Sequence, residues 1–384
     1  MRILVVDYAG HPFQYELSTE LVRAGHDVTH SYCASLLTPQ AAFDPANGPD
    51  LAPIDFGRPF EKYSLFGRAR DELRYGLLTS KLLWTTRATR LITSNVPVIS
   101  LALIWLTARL RGVRWLLWLQ DIQAGLAAIV RGRPDAPTRV LGLIERFLIR
   151  RADHVVVISD EFASAVEEMG VRPGSVTTIE NWAPIDQLPE CPRNNNWARQ
   201  QGLVTPFVFL YSGTLGAKHS PHLLLALADE FAGDDETQVI VVGEGAGADR
   251  LAATPRSNLT MLPFQPFEYL PDVMGTADVL VTLLDPSAGG FSVPSKALSY
   301  LCAGRAVLAA VPPSNAAARL ISHKAQAVIA VDPADEAAFI AAAKRLRCDD
   351  ELRTSFGKNG RAYAEQVFDR SAIRQRFERL LESL

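Results

Sequence analysis

Two glycines, a Pro-Ser-Lys tripeptide and an apolar run follow one another between residues 289 and 305 of this 384-residue chain. Proline is favoured in the first turn of a helix, where its missing N–H costs nothing, so the pattern predicts a helix that begins at Pro294. The unpaired N–H groups of that turn, the helix dipole and Lys296 would direct positive charge at one point, where a phosphate is the natural ligand. The alternative is a capped helix after a surface loop. The predicted phosphate site comprises Gly289, Gly290, Phe291, Ser292, Ser295 and Lys296.

A second loop of the same kind follows the apolar run at 207–211. Gly213 and Gly216 would let a ligand approach the backbone closely, and Lys218 would supply a point charge for a diphosphate. Taken alone, this loop is better explained as an ordinary turn between a strand and a helix. Because both loops follow predicted strands, we expect them to open at the same edge of one sheet, and this pairing favours anion binding.

Polar residues also follow two predicted strands of the first half. Gly10 and His11 come after the first strand, and Gln120 and Asp121 come after the apolar run at 115–119. His11 would orient an acceptor or act as an acid–base group, and Asp121 would bind a sugar hydroxyl or act as a base. The alternatives are a structural histidine and an aspartate that caps a helix.

The remaining motifs indicate neither a dinucleotide nor a metal. Residues 243–248 (GEGAGA) imitate a dinucleotide-binding fingerprint, but they do not follow the first strand of their half, and no acidic residue ends a strand about 20 positions later. We interpret them as a glycine-rich turn. The sequence has no Asp-x-Asp, His-Glu-x-x-His or clustered Cys/His motif, so no metal and no cofactor is expected.

The elements that must position these residues alternate between strands and helices. Helices are expected at 14–23, at 220–232, from Pro294 and over 349–384, and 39–59 is expected to be a loop. The continuous apolar runs suit parallel strands covered on both faces. The predicted strands are 3–7, 27–32, 113–119, 154–158, 207–211, 238–242, 258–262, 277–284 and 306–310.

These elements predict an α/β protein with two doubly wound Rossmann-like domains that face a central cleft. A stretch rich in proline and asparagine predicts a linker over 188–205. The expected domains are an acceptor-binding domain over 1–187, a ligand-binding domain over 206–365, and a C-terminal helix over 366–384 that packs back on the first domain.

Composition narrows the class of protein. A net charge of −3 and a pI near 6.2 do not suggest a nucleic-acid binder. The four cysteines are scattered, which indicates neither a zinc site nor disulfides and fits a reducing compartment. The N-terminal apolar run is too short for a signal peptide, and the run at 96–110 is too short to span a membrane. We therefore expect a cytoplasmic protein, dissolved or attached to a surface.

Positive charge is concentrated in the first half. Residues 58–151 contain 17 Lys or Arg and 6 Asp or Glu, and large apolar side chains are mixed with the cations at 63–70 and 77–87. This mixture is typical of helices that lie on an anionic membrane surface. The alternative is a solvated basic face over ordinary core helices.

The chain resembles bacterial family 4 glycosyltransferases of the GT-B fold, and within them the branch of colanic-acid and O-antigen, fucosaminyltransferase-like enzymes. The matching pieces extend over most of the chain. They are 118–122 (WLQDI), 179–184 (IENWAP), 211–219 (YSGTLGAKH), 242–245 (VGEG) and 294–305 (PSKALSYLCAGR), with 312–319 behind the last.

The resemblance implies a nucleotide-diphosphate sugar donor in the second half, an acceptor in the first and retention of anomeric configuration. The donor diphosphate would contact Gly213, Lys218 and the loop at 289–296. Lys218 and preorganised N–H groups would stabilise the charge on the departing diphosphate, with Asp121 and His11 as further catalytic candidates. With the basic first half, the resemblance implies an acceptor on polyprenyl diphosphate at the inner face of the cytoplasmic membrane.

Two departures from the family pattern concern the donor site. The family has two glutamates eight residues apart where this chain has Phe291 and Ser299, and usually an arginine where it has Thr214. The sugar and ribose contacts therefore do not carry over, although these three positions should still line the donor. Two alternatives stay open: a nucleotide-sugar 2-epimerase of the same architecture, and a non-catalytic partner of a sister transferase.

Overall fold

The chain forms two compact units in the computed structural model. The first unit contains Met1–Glu180 and Arg370–Leu384, and the second contains Asn181–Asp369. The structure describes residues 1–36, 48–61, 65–121, 136–203, 206–216, 219–284, 295–313, 315, 318 and 320–384.

The first unit is built on a parallel sheet of seven strands in the order β3-β2-β1-β4-β5-β6-β7. The central strands are buried along nearly their whole length, because helices cover both faces of a parallel sheet. The strands are β1 (Arg2–Asp7), β2 (Asp27–Cys33), β3 (Asp50–Ile54), β4 (Arg90–Ser94), β5 (Arg114–Leu119), β6 (His154–Val157) and β7 (Val176–Thr178).

Helices of the first unit begin or end at residues that cap a helix or allow a turn. The helix after β4 ends at Gly112, whose φ of +64° is left-handed. A serine at position 159 caps another by accepting a hydrogen bond from Phe162 N. The helices are α1 (Pro12–Arg23), α2 (Leu65–Thr85), α3 (Val98–Arg111), α4 (Ala136–Arg151) and α5 (Asp160–Glu168).

One stretch expected to be a loop contains a strand. The expected loop at 39–59 includes β3, which pairs in parallel with β2 at the end of the sheet. Pro53 lacks an N–H, and an edge strand tolerates this because one of its sides makes no ladder. Composition alone therefore misled the prediction.

The second unit has a parallel sheet of six strands in the order β10-β9-β8-β11-β12-β13. Its core is formed by buried aliphatic and aromatic side chains such as Phe209, Leu224 and Phe339. The strands are β8 (Phe207–Ser212), β9 (Thr237–Val242), β10 (Leu259–Leu262), β11 (Val279–Leu283), β12 (Ala306–Ala310) and β13 (Val328–Val331). The helices are α6 (Asn196–Gln200), α7 (His222–Glu230), α8 (Ala246–Ala252), α9 (Leu270–Gly275), α10 (Ser295–Cys302), α11 (Glu336–Cys348) and α12 (Asp350–Val367).

The stretch expected to be a linker, 188–205, packs on the second unit instead. Asn195 Nδ2 donates to Asp272 O at 2.8 Å and to Thr276 Oγ1 at 3.1 Å. Trp197 is buried, and its Nε1 donates to Gln265 Oε1 at 3.1 Å. The polar, turn-prone residues of this stretch thus make specific contacts with the second unit instead of forming a linker. The N-terminal part of the first unit ends at Glu180, whereas the sequence predicted an end at 187.

The last helix, α13 (Arg370–Ser383), belongs to the first unit. Phe377 is buried against Trp118 of β5, with 4.8 Å between ring centroids. His26 Nε2 lies 2.8 Å from Glu378 Oε1, and Arg90 Nε donates to Leu381 O at 2.6 Å. The chain therefore returns to its first unit after completing the second.

Each sheet reverses its strand order at one point. The reversals lie between β1 and β4 and between β8 and β11. Ligands of open α/β sheets bind beyond the carboxyl ends of the strands at such points. None of the helices in the described part of the chain combines the length and apolarity that crossing a bilayer requires.

Candidate functional site

Gly213 and Lys296, described parts of the two predicted anion sites of the second unit, lie close together at the carboxyl end of β8. Lys296, in the first turn of α10, donates through Nζ to Thr214 O at 3.2 Å and also to the Tyr211 hydroxyl. Its ammonium lies 4.0 Å from the centroid of the Tyr211 ring. A Cβ on Gly213 would be 3.3 Å from Lys296 Nζ. The structure thus brings together Gly213, Thr214 and Lys296.

Lys296 is partly buried, and its side chain changes protonation state near neutral pH. Burial lowers the pKa of Lys296 to about 7. Its oxygen contacts among the described residues are a carbonyl and a hydroxyl, both neutral, and neither offsets the cost of removing the ammonium from water as a carboxylate would. An anion bound here would favour the ammonium form.

Two tyrosines that were not predicted as site residues hold the backbone at the end of β8 in place. The Tyr300 hydroxyl accepts from Ser212 N at 2.8 Å and donates to Ser212 O at 3.1 Å. The Tyr211 hydroxyl donates to Thr214 O at 2.8 Å. Burial raises the pKa of both hydroxyls, so they stay protonated. The usable signal was the spacing of Lys296 and Tyr300, four residues apart on one helix face.

The glycine-rich turn after β9 supports the loop after β8. Gly213 N donates to Val242 O at 2.9 Å, Leu215 N to Glu244 O at 2.9 Å, and Gly247 N to Leu215 O at 2.8 Å. A Cβ on Gly243 would lie 2.1 Å from Gly213 O, so only glycine permits this approach. These glycines therefore serve backbone packing.

These backbone hydrogen bonds also determine which amides of the loop can donate to a ligand. Gly213 and Gly216 were expected to let a ligand approach the backbone closely. Their own amides make internal hydrogen bonds: Gly213 N donates to Val242 O, and Gly216 N donates to His219 Nδ1 at 3.0 Å. Within the described segment 213–216, Thr214 N is the amide that donates to no described acceptor. Thr214 N and Lys296 Nζ are therefore two donors of the described site.

Several predicted donor residues lie outside the described residues. Ser295 is the first residue of α10, and Ser299 is partly buried one position before Tyr300. The predicted residues outside the described part are Lys218, Gly289, Gly290, Phe291 and Ser292.

In the first unit, a buried carboxylate lies at the end of β1. Asp7 Oδ1 accepts from Gly10 N at 3.0 Å and lies 3.5 Å from His11 Nδ1. Asp7 is buried, whereas the His11 side chain is 37% exposed. Because Nδ1 faces the carboxylate, the second ring nitrogen is the one available to a ligand. The sequence pattern indicated Gly10 and His11 but not Asp7, although Asp7 ends the strand that they follow.

A second histidine contacts the same carboxylate from inside the unit. His30 Nε2 lies 3.8 Å from Asp7 Oδ2, and its Nδ1 lies 2.8 Å from Ser18 Oγ. Burial lowers the pKa of His30 to about 4, against the opposing attraction of Asp7, so this imidazole is neutral at pH 7. Asp7 is thus held from both sides beside His11.

Gln120 and Asp121 follow β5 at the same edge of the sheet. Gln120 is buried and Asp121 is exposed. The Phe13 ring, which stacks on His11 at 5.4 Å, also packs edge-on against Trp118 of β5 at 5.6 Å. The His11 segment and the end of β5 therefore share one surface, and β4 lies between β1 and β5.

Comparison with known proteins gives consistent matches along the chain. The sequence model of the glycosyl transferase 4-like domain matches residues 10–182, and that of glycosyl transferases group 1 matches residues 194–363. The probable glycosyltransferase WbjE of Pseudomonas aeruginosa is 23% identical over 279 residues, 68% of each chain.

Solved structures share the fold. Sucrose-phosphate synthase of Thermosynechococcus elongatus superposes with a TM-score of 0.78 at 16% identity, covering 100% of this chain and 98% of its own. HepE of Anabaena, solved in complex with UDP-glucose, gives a TM-score of 0.71 at 17% identity with both chains fully covered. At this level of identity the likeness concerns the fold alone.

Proposed function

Since this chain belongs to the family 4-like glycosyltransferases of the GT-B fold, we propose that it moves a sugar from a nucleotide-diphosphate sugar, bound by the second unit, to a saccharide acceptor bound by the first. The observation that carries the donor assignment is the convergence of Lys296 Nζ on the Thr214 backbone at the end of β8. An ammonium and an amide N–H there suit a diphosphate. The complex of the similar protein HepE with UDP-glucose supports the class of donor.

The proposed chemistry follows from where charge develops. Breaking the bond between the sugar and the diphosphate leaves negative charge on the phosphate oxygens. Lys296 Nζ and Thr214 N stabilise that charge more in the transition state than in the bound donor, and this difference lowers the barrier. The proposal requires neither a metal nor a cofactor, and Lys218 is a further proposed donor of positive charge.

The finer assignments extend this proposal. The resemblance of the sequence motifs leads us to propose three further properties. These are retention of anomeric configuration, an acceptor linked to polyprenyl diphosphate, and a role in the synthesis of cell-surface polysaccharide. The acceptor would lie beside His11, Gln120 and Asp121. The excess of positive charge over 58–151 supports work at the inner face of the cytoplasmic membrane.

A panel of nucleotide sugars tests the proposed function. Thermal unfolding is measured with each donor, because a ligand that binds the folded protein raises its melting temperature. Donors that stabilise the protein are then assayed for release of nucleoside diphosphate and for the sugar product. We expect one donor class to bind and turn over slowly without acceptor. Binding without turnover would indicate a non-catalytic partner, and formation of an epimeric nucleotide sugar would indicate a 2-epimerase.

Donor affinity is expected to fall as the pH rises above about 7. Because the pKa of Lys296 is about 7 in the free protein, an anion that raises it must bind together with a proton above that pH. The dissociation constant should increase by up to about tenfold per pH unit until the pKa of the complex is reached. Calorimetry in two buffers of different ionisation enthalpy measures both the affinity and the proton uptake.

The matched control for this pH dependence is Lys296→Arg. A guanidinium stays charged throughout this range, so the variant should bind donor with little change of affinity as the pH rises. A wild-type protein whose affinity stays constant from about pH 6 to about pH 9 would show that Lys296 does not bind the donor.

Replacing His11 with alanine is expected to lower sugar transfer by about tenfold or more, because it removes a group proposed to orient the acceptor. Donor hydrolysis without acceptor should be unchanged, since His11 belongs to the first unit. Both rates are measured by chromatography of the released nucleotide, with His323→Ala as the control at an exposed histidine. An equal loss in the two assays would count against an acceptor role.

A further inference from the structure

Five arginines line one open cavity of the first unit, with a volume of about 790 Å³. Three of these arginines lie in the last two turns of α4, one lies in α3, and one lies in the turn before β7. Leu143, Phe147 and Gly170 contribute to the same wall. We call this cavity the arginine pocket. Its arginines are Arg109, Arg146, Arg150, Arg151 and Arg172.

The positive charges of the arginine pocket are not neutralised within the described part of the chain. Arg146 Nε donates to Met169 O at 3.1 Å, and the Arg151 guanidinium lies 5.1 Å from the Phe147 ring centroid. The acidic residue of the wall, Asp153, accepts from Trp115 N at 2.8 Å and from Arg114 at 3.2 Å. Since no described carboxylate forms an ion pair with any of the five arginines, the pocket is complementary to an anion.

The arginine pocket lies at the opposite edge of the sheet from the candidate acceptor site. Arg151 and Asp153 precede β6, and Arg172 precedes β7, so these residues stand at the amino ends of the strands. His11 and Gln120 follow the carboxyl ends of β1 and β5. A strand of six residues is about 20 Å long, so the two places are separate. A ligand of the pocket would therefore be distinct from the acceptor.

Helix α4 carries a row of exposed apolar side chains that leads to the pocket. Val140 is 55% exposed, Leu143 56% and Phe147 43%. The spacing of these residues places them on one face of a helix about 24 Å long. Leu106 and Leu110 of the adjoining α3 are also exposed. A ligand that combines an anionic group with an apolar part would match both the pocket and this row.

We propose that this surface binds the phosphate headgroup of an anionic phospholipid in a bilayer. The guanidinium groups of the arginine pocket hold the phosphate oxygens in paired hydrogen bonds, and the apolar row of α4 enters the interface between headgroups and acyl chains. The apolar row favours a lipid over a nucleic acid or a free phosphate. This inference rests on the proposed function at a membrane surface, and it names the face by which that surface is held.

Flotation of the full chain with vesicles tests the inference. The vesicles contain phosphatidylcholine alone or with phosphatidylglycerol. The pocket variant is Arg109→Gln, Arg150→Gln and Arg172→Gln, all exposed positions. The matched control removes three exposed positive charges from the second unit through Arg250→Gln, Arg345→Gln and Lys358→Gln. A third variant, Val140→Ser with Leu143→Ser, keeps every charge and removes part of the apolar row.

We expect wild type and the control to float with phosphatidylglycerol vesicles and the pocket variant to lose at least about tenfold in partitioning, because each cation near the surface contributes separately. The apolar-row variant should also lose partitioning, and added salt should release wild type. Equal partitioning of the pocket and control variants would overturn the inference, as would equal binding of wild type to both vesicle types. Release of wild type by inorganic phosphate at an ionic strength where sodium chloride leaves it bound would also overturn it.

Failure of the inference is distinguishable from failure of the proposed function. Donor hydrolysis without vesicles reports on the second unit, and the pocket variant should retain the wild-type rate there. A protein that hydrolyses donor but ignores phosphatidylglycerol would keep the transferase proposal and lose this inference.

Discussion

Replacing Lys296 with alanine is expected to lower donor turnover by about a hundredfold or more, which is typical for the loss of one group that stabilises developing charge. The ammonium is held in place by the Thr214 carbonyl and the Tyr211 hydroxyl, so it meets the diphosphate without reorganisation. Donor affinity should fall less than the turnover number, because the diphosphate gains charge as the bond breaks. Rates of nucleoside diphosphate release at saturating donor measure the effect.

The control for this prediction is Lys358→Ala, which removes an exposed lysine of the same unit. Its turnover should equal that of wild type. Lys218→Ala belongs in the same series, with an expected loss of about tenfold or more in binding or turnover, about 1.4 kcal/mol. If Lys296→Ala retained the wild-type turnover number, the ammonium would have no part in the chemistry.

Replacing Gly243 with alanine is expected to disrupt the donor loop from behind. The new Cβ would lie 2.1 Å from Gly213 O, so one of the two backbone segments must move. Overpacking of this kind costs about 1–3 kcal/mol of the free energy of unfolding. The displaced Gly213 also carries the neighbouring Thr214 away from Lys296, so donor affinity should fall by about tenfold. Denaturant unfolding and calorimetric donor titration measure the two effects.

Gly233→Ala provides the matched control. No heavy atom lies within 4 Å of the position where its Cβ would be built. The free energy of unfolding should change by no more than about 0.5 kcal/mol, and donor affinity should be unchanged. Equal behaviour of the two alanine variants would contradict the supporting role of the turn at 243–247.

The sequence was most informative where a pattern has one physical meaning. Continuous apolar runs predicted parallel strands, and β1, β8, β9 and β12 lie where those runs are. The two loops with lysines predicted an anion site, and the structure brings Gly213 and Lys296 together because β8 and β11 are neighbours. The alternation of strands and helices implies a doubly wound sheet, and the strand order of such a sheet determines which loops are neighbours.

Other features depend on partners distant in the chain and carry little local signal. Tyr300 binds the backbone of Ser212, 88 positions away, and Asp7 reaches both His11 and His30. The edge strand β3 contains a proline, so its composition resembles a loop. The sequence indicated that a ligand could approach the backbone closely at Gly213 and Gly216, and only the positions of Val242 and His219 reveal that the amides of these glycines make internal hydrogen bonds.

The return of α13 to the first unit sets the order in which the protein can mature on the ribosome. Trp118 receives its neighbour Phe377 only after the whole second unit has been made, a stretch of about 190 residues. At ordinary rates of translation that delay lasts roughly 10–40 s, during which an aromatic face near the predicted acceptor residues stays uncovered. A polypeptide released before residue 370 would contain a finished second unit and an unfinished first one, the form that chaperones and proteases recognise.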